Sequence, residues 1–391
     1  MRAPINPAFA TVPAAPRLAA LDGLRALAIA WVILFHYAYF WTSAGAVPLV
    51  PYDDAYAWVP FAAVGYLGVH LFFMISGFVI LLTLEQTRGF KEFMLRRAVR
   101  LWPALVILGS VTFLIVSVFG PEQLRVGWWE YALSLLTLPP NHVGMFFGAG
   151  HWKWLDGAYW SLWVEVKFYC VIGAMFFALR SNAIRAWIAF EVFSIVVAVL
   201  NLAIGSRALD IIDGFIFQTY IPYFSIGLAA YLMRAGRGHN TTTQLLLIVA
   251  TVHLVLASVT HLFQSDKTGW YAVQFIAGQT AILVVFWAFV WDRLSFGIFR
   301  WAPLTRIGRA SYGVYLLHQN VGLTILSMPL IGWLAPGLLS PIVVIAAVIG
   351  TAIVVHERVE LPVQDWLKGR LLKRSALNAA PDRTDLSQVT S

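Results

Sequence analysis

Ten stretches of this chain are long and apolar enough to cross a bilayer, at about 24–41, 62–84, 101–119, 159–178, 186–204, 215–233, 244–263, 272–291, 308–328 and 340–358. Each is close to the ~20 residues that a membrane-crossing helix requires. In hydrocarbon every backbone polar group must be satisfied within its own segment, so these stretches are expected as helices. They are continuous rather than alternating, which argues against a membrane β-barrel. The expected fold is all-α: a polytopic membrane protein of ten transmembrane helices.

Composition excludes the soluble alternatives. Of 391 residues, 60% are apolar and 12% charged, against ~45–50% and ~25% in a soluble globular chain. A water-soluble globule built from this chain would expose more apolar surface than water tolerates. Disordered, collagenous and coiled-coil classes need polar or repetitive sequence. The single cysteine, Cys170, excludes an internal disulfide framework and a multi-cysteine metal site.

The formal charge of +8 would suggest nucleic acid or acidic partners in a soluble protein. Its placement suggests orientation in a membrane instead, and no nucleic-acid partner is expected. Of 27 Lys and Arg, 22 fall in the N-terminal segment, the even-numbered loops and the C-terminal tail. Only 4 (Arg125, Lys153, Arg207 and Lys267) fall in odd-numbered loops, and Lys167 lies inside a span. The positive-inside rule then places both termini in the cytoplasm. Residues 1–18 and 369–391 read as disordered ends flanking a membrane domain at 19–368. The first span has a basic flank like a signal peptide, but its long leading segment favours retention. No internal repeat and no soluble domain is evident. The longest non-spanning stretch is an outer loop of about 120–158, in which Trp128–Leu138 is too short to cross and reads as interfacial or re-entrant.

Ionisable groups inside hydrocarbon cost at least ~2.5–3.5 kcal/mol, which makes each a functional candidate. His36, His70, Glu165, Lys167, His253 and His318 stand out within the spans. Arg25 and His36 are eleven residues apart, three helical turns and ~16 Å of rise on one face. Arg25 falls at the cytoplasmic mouth and His36 beyond mid-membrane. His36, His70 and Glu165 come out at a similar depth, roughly 8–12 Å below the outer surface at 1.5 Å per residue. Two imidazoles and a carboxylate at one level suit a buried acid–base site. Each also has a structural reading: Glu165 neutralising Lys167 or an Arg, His70 paired with Arg or backbone, His318 simply packed. His253 reads as a packed residue bonded to a neighbour, whose removal leaves chemistry nearly unaffected.

Two further clusters are visible. In the expected cytoplasmic loop KEFMLRRAVRLWPAL, Arg96, Arg97 and Arg100 crowd the entrance of the third span, with Pro103 in its first turn. Arg97 and Arg100 share a face, and paired guanidinium groups grip phosphates in a fork. The alternative is ordinary contact with anionic lipid. The outer loop and the start of the fourth span hold Trp128, Trp129, Trp152, Trp154, Trp160 and Trp163, with His142 and His151. They read as an interfacial aromatic belt or as a stacking surface for a sugar or another amphipathic acceptor.

These residues together resemble the acyltransferase-3 family of integral-membrane acyltransferases, which modify bacterial surface glycans and related acceptors. LDGLRALAIAWVILFH resembles its first-helix motif through Arg25 and His36. GVHLFFMISGFVI (68–80) resembles its second-helix signature, and RRAVRLWP its Arg-x-x-Arg element through Arg97 and Arg100. YWSLWVEVKFY (159–169) resembles the motif that points to Glu165. ASYGVYLLH (310–318) and VELPV, with Glu360 and Pro362, resemble the last two. The chain departs from the family pattern at Lys167, more often acidic or amide, and at Leu361, where the family more often has Arg between Glu and Pro. Some relatives append an extracytoplasmic esterase-like domain; none is expected within this sequence.

The resemblance implies a donor acyl-CoA, most simply acetyl-CoA, used as a substrate with no tightly bound cofactor and no metal. Arg97, Arg100 and Arg25 would hold its phosphates. His36 would be the general base on a hydroxyl of a glycan, lipid-linked sugar or small-molecule acceptor, with Glu165 orienting it and His70 at the same level. A transient acyl group on His36 stays open beside direct transfer. The expected location is the cell (inner) membrane. A proton-coupled transporter is the rival class, since it too buries His and Glu; it often shows paired broken helices and a repeat, and no such pattern is legible here.

Overall fold

The computed structural model describes residues 14–45, 48–148, 150–265, 269–291, 297–329 and 339–372. Among them all regular structure is helical and no strand occurs. The terminal segments expected to be disordered lie outside the described residues over 1–13 and 373–391; helix α1 begins at Ala14. The helices are α1 (Ala14–Phe35), α2 (Leu67–Glu85), α3 (Phe90–Phe119), α4 (Trp128–Leu135), α5 (Pro140–Phe146), α6 (Trp160–Leu179), α7 (Ala183–Ile204) and α8 (Arg207–Ile216). They continue with α9 (Ile221–Leu232), α10 (Thr241–Gln264), α11 (Trp270–Trp291), α12 (Ala302–Arg309), α13 (Ser311–Leu317), α14 (Asn320–Leu326), α15 (Ser340–Val355) and α16 (Leu361–Leu367).

Eight segments of the described chain are long and apolar enough to cross a membrane. One of them, Gly157–Ile204, is two helices, because the chain turns between α6 and α7 at Arg180–Asn182. Residues 308–328, expected as one continuous span, do not form one helix. They form the end of α12, then α13 and α14, interrupted at His318 and Gln319.

That break is stabilised from elsewhere in the fold. The Tyr37 hydroxyl donates to the carbonyl of His318 at 2.6 Å, and the Tyr159 hydroxyl to that of Leu316 at 3.2 Å. The Asn320 amide donates to the Asp156 carboxylate at 2.8 Å. Backbone groups released by the interruption thus find side-chain partners, the condition under which a broken helix survives at membrane depth.

Helix α2 is central, with α9 packed along it. Contact is close because Gly77 and Gly227 face each other: a Cβ on Gly77 would lie 2.2 Å from the Phe224 carbonyl oxygen, and one on Gly227 2.2 Å from that of Met74. Small residues that let backbones approach are the usual device of helix association in membranes.

The arginine segment differs from its expected form. It is not a loop: α3 is 30 residues long, so Arg96, Arg97 and Arg100 ride on its first turns and Pro103 lies inside it. Phe93, Arg97, Leu101 and Ala104 recur at helical spacing on its buried face, and this amphipathic repeat extends the helix beyond its purely apolar part. The start of α1, the end of α2 and the start of α3 define an arginine-rich end of the bundle. The short helix α4, too short to cross, lies at the opposite end, held by a stacked Phe113–Tyr131 pair at 4.5 Å.

Candidate active site

Five elements, α1, α2, α3, α6 and α13, enclose a cavity of about 100 Å³ whose lining includes Arg25, Ser76, Arg97, Arg100, Glu165 and Tyr312. Three guanidinium groups named from sequence spacing therefore share one chamber with the carboxylate named from the fourth span. Arg25 is paired with Asp22 at 2.9 Å. Arg97 is only 7% exposed. Its Nη2 donates to Thr83 at 2.8 Å, while its Nε and Nη1 are buried without a hydrogen-bond partner among the described residues. Donors left unsatisfied in a buried site cost ~1–3 kcal/mol each, so they are suited to an incoming anion.

Glu165 accepts through Oε1 from Ser76 at 2.9 Å and from the Tyr169 hydroxyl. Among the described residues it makes no bond to His36, the partner expected for it. The reason is the helix face. Ser161, Leu162 and Glu165 line the arginine chamber, whereas Lys167 points away, donating to the Gly214 carbonyl at 2.8 Å over the rings of Trp163 and Phe217.

The partner of His36 is another histidine. His36 follows the last residue of α1 and opens a π-helical turn, His36–Phe40. Its Nδ1 lies 2.8 Å from the Val32 carbonyl and 3.3 Å from Nε2 of His318, with the rings edge-to-face at 4.9 Å. Nδ1 of His318 is 2.8 Å from the Tyr315 carbonyl. A carbonyl only accepts, so the network assigns the proton to Nδ1 in both rings. Nε2 of His318 then accepts from His36, and Nε2 of His36 keeps its lone pair. Tyr315 also lines the arginine chamber, so it joins the histidine pair to that chamber.

His70 stands apart from this pair. It lies against Tyr223, with ring centroids 4.2 Å apart, and lines a different cavity. Depth along a helix put it level with His36, but its side chain points to another face of α2.

Sequence reasoning missed two buried acids, Asp156 and Glu191, and left a third residue undecided. His318 was left open as packed or functional. Asp156, fully buried, accepts from the amides of Ala158 and Asn320 at 2.9 and 2.8 Å, and burial pushes its carboxyl up to about 7. Glu191, fully buried on α7, sits 3.2 Å from Nδ1 of His253 and accepts from Ser225 at 2.6 Å. A carboxylate in the middle of a span was signal enough to find Glu191; the other two needed the fold. Among the described residues no group of three or more His, Cys, Asp or Glu is placed to hold a metal.

The bundle thus holds a chamber lined by three arginines and a carboxylate, with a histidine pair next to it on the far side of Tyr315. The chain carries an acyltransferase domain. It belongs to the acyltransferase-3 family, whose model, an acyltransferase domain, matches residues 18–356. The chain is 24% identical over 385 residues to the peptidoglycan O-acetyltransferase OatA of Listeria monocytogenes, covering 88% of this chain and 55% of that protein. It is 27% identical to the putative peptidoglycan O-acetyltransferase YrhL of Bacillus subtilis, covering 79% and 49%. It is 26% identical to the putative membrane-bound transacylase BcsY of Komagataeibacter xylinus, covering 76% and 71%. The chain thus spans about half the length of the first two relatives. No solved structure matches it.

Proposed function

We propose that this protein moves an acyl group, most simply acetyl, from acyl-CoA to a hydroxyl of a glycan acceptor at the cell (inner) membrane. The observation that carries this reading is the shared chamber of Arg25, Arg97, Arg100 and Glu165, joined through Tyr315 to the His36–His318 pair. The CoA phosphates meet the guanidinium groups, and the thioester reaches toward His36.

In the transfer step, Nε2 of His36 takes the proton of the acceptor hydroxyl as its oxygen attacks the thioester carbonyl. The C–S bond then breaks and the imidazolium returns the proton to the leaving thiolate. His318 supports the positive charge on His36 by accepting its Nδ1 proton, the place a carboxylate holds in hydrolase triads. Glu165 acts within the arginine chamber, and His70 takes no part in the proton transfer.

In this reading the chain crosses the membrane ten times, with α6 and α7 as separate crossings and the interrupted α12–α14 as one. Both termini and the arginine-rich end are cytoplasmic, as the basic-residue distribution favours. With Cys170 replaced, a cysteine at Arg96 should label only after permeabilisation and one at Trp129 in intact cells. The reverse pattern refutes the orientation. The decisive test of activity is transfer by the purified protein from acetyl-CoA to an added glucan or peptidoglycan oligosaccharide. Absence of CoA release and of acetylated sugar, from protein that is folded, refutes the reading.

A further inference from the structure

A second depression lies across α6 from the arginine chamber. Its deeper part, about 130 Å³, is lined by residues that include Tyr66, His70, Tyr223 and His261. Its shallower part, about 260 Å³, is lined by residues that include His142, Trp154, Trp163 and Lys167. Trp160, Thr219 and Tyr220 belong to both, so the two parts form one groove. Together they fall within the ~300–1,000 Å³ of small-molecule sites. Helix α6 separates the two sites by its helical period: Ser161, Leu162 and Glu165 face the chamber, whereas Trp160, Trp163 and Lys167 face the groove.

The chemistry of the lining is specific. Trp160 and Tyr220 lie 5.0 Å apart at 34°, and His70 and Tyr223 4.2 Å apart at 31°. Flat aromatic faces alternate with groups that make hydrogen bonds: imidazoles, hydroxyls, the amides of Asn141 and Gln218, and the Lys167 ammonium. His70 is 7% exposed, and its Nδ1 is buried without a partner among the described residues. Among the described residues no Asp or Glu lines either part. A lipid tail asks for a different surface. Such a surface exists between α3 and α16, where Leu95, Val99, Val106, Val363 and Leu367 form a groove with aliphatic walls. The aromatic groove instead matches a sugar ring, which offers apolar C–H faces for stacking and a rim of hydroxyls for donors and acceptors.

The groove also lies close to the chemistry. The Tyr66 ring is 5.5 Å from Phe35, the neighbour of His36, and 5.8 Å from His70. Tyr66 is therefore a ridge between the end of α1 and the groove. A helix is ~10 Å across, so one glycan chain can place a sugar at His36 and neighbouring sugars beyond α2.

We propose that this groove is an acceptor subsite that holds the sugars flanking the one acylated at His36, stacking them on Trp160 and Tyr220 and hydrogen-bonding them through His70. The proposal rests on the reading that the acceptor is a glycan, and it names where the non-reacting part of that glycan binds.

The test is calorimetric titration of the full chain in detergent with cellopentaose and with chitopentaose, alongside acetyl-CoA. At least one oligosaccharide should bind the wild type. Trp160→Ala and Tyr220→Leu should each weaken that binding about tenfold, and Trp160→Phe should keep most of it. Acetyl-CoA affinity should be unchanged in all three, which also reports that they fold. The proposal is overturned if neither sugar binds, or if Trp160→Ala and Tyr220→Leu bind it as tightly as the wild type. Failure of the acyl-transfer reading shows separately, as absence of CoA release in the presence of a sugar that still binds the groove.

Discussion

Nδ1 of His36 points at Nε2 of His318 across 3.3 Å, although 282 residues separate them in the chain. The Val32 carbonyl fixes which nitrogen of His36 is basic, because it can only accept and so commits the proton to Nδ1, where His318 shares it. His318 can accept only because its own Nδ1 proton is committed to the Tyr315 carbonyl. Tautomer control of this kind normally falls to a carboxylate; here the Val32 carbonyl holds the Nδ1 proton, and His318 shares it at the longer distance.

His36→Ala should abolish transfer, since losing a general base costs ~10²–10⁴-fold. His318→Ala should lower kcat by about 10–100-fold, the equivalent of one hydrogen bond to a charged group at ~1.5–3 kcal/mol. The KM for acetyl-CoA should stay unchanged, because His318 does not line the arginine chamber. Steady-state kinetics of the purified variants check both. Equal kcat in His318→Ala and wild type would remove the positioning role.

Arg97 and Arg100 should account for donor affinity. Arg97→Ala and Arg100→Ala should weaken acyl-CoA binding, and Arg97→Lys should not restore it, because Lys lacks the planar fork. The loss should be larger for CoA than for a pantetheine thioester lacking the nucleotide, and should shrink with added salt. Calorimetry on folded protein decides. Equal CoA affinity in wild type and variants would leave these arginines as lipid contacts.

The division between what sequence told and what it withheld follows from geometry. Apolar length announces most of the helices, and the position of a residue along a helix gives its depth. Direction around the helix axis is set by neighbours, and depth is silent on it. His70 and Ser76 are six residues apart, about 600° of helical rotation, so one can face Tyr223 while the other faces Glu165. The break at His318 is marked locally only by the polar run His318-Gln319-Asn320, too short to show that the helix stops there. Its stabilising carboxylate, Asp156, is 164 residues away from the amide it accepts, and the surrounding segment is as apolar as an intact span. The arginine chamber was more legible, because Arg97 and Arg100 declare their common face by spacing alone. What spacing could not show is that Arg25 and Glu165 would join them from two other helices.

His253 should matter for folding and not for chemistry. It and Glu191 are both fully buried and bonded at 3.2 Å, and Ser225 links Glu191 to the indole of Trp187. Replacing His253 by Ala leaves the Glu191 carboxyl without its imidazole partner, and a buried polar group left unpaired costs ~1–3 kcal/mol. The prediction is a marked loss of thermal stability in detergent with kcat unchanged per folded molecule. A second replacement, Glu191→Gln, should recover part of that loss by removing the stranded acid. If His253→Ala melts like the wild type, the pair contributes nothing to stability. If it folds normally but loses turnover, His253 belongs to the chemistry after all.

Asp156 should make stability fall with rising pH. Its carboxyl is buried before the first turn of the Gly157–Tyr159 element, accepts from two backbone amides, and is held up to about 7 by loss of solvation. In the unfolded chain the same group titrates near the ordinary value of 3.8. Between those two values the folded protein holds a proton that the unfolded chain has released, so stability decreases as pH rises through the window and levels off above it. The slope from this one group is at most about 1.4 kcal/mol per pH unit. Asp156→Asn should remove this component, because Asn does not titrate. The variant should also be less stable by ~1–3 kcal/mol at low pH, since one carboxamide oxygen cannot serve both the Ala158 and Asn320 amides as two carboxyl oxygens do. Thermal melts of both proteins from pH 5 to pH 8 provide the measurement, read as the difference between them so that other titrating groups cancel. The advantage of the wild type over Asp156→Asn should narrow from pH 5 to pH 7. A difference that is flat across that range would mean that Asp156 is ionised throughout in the folded protein, and that the amides of Ala158 and Asn320 outweigh its burial.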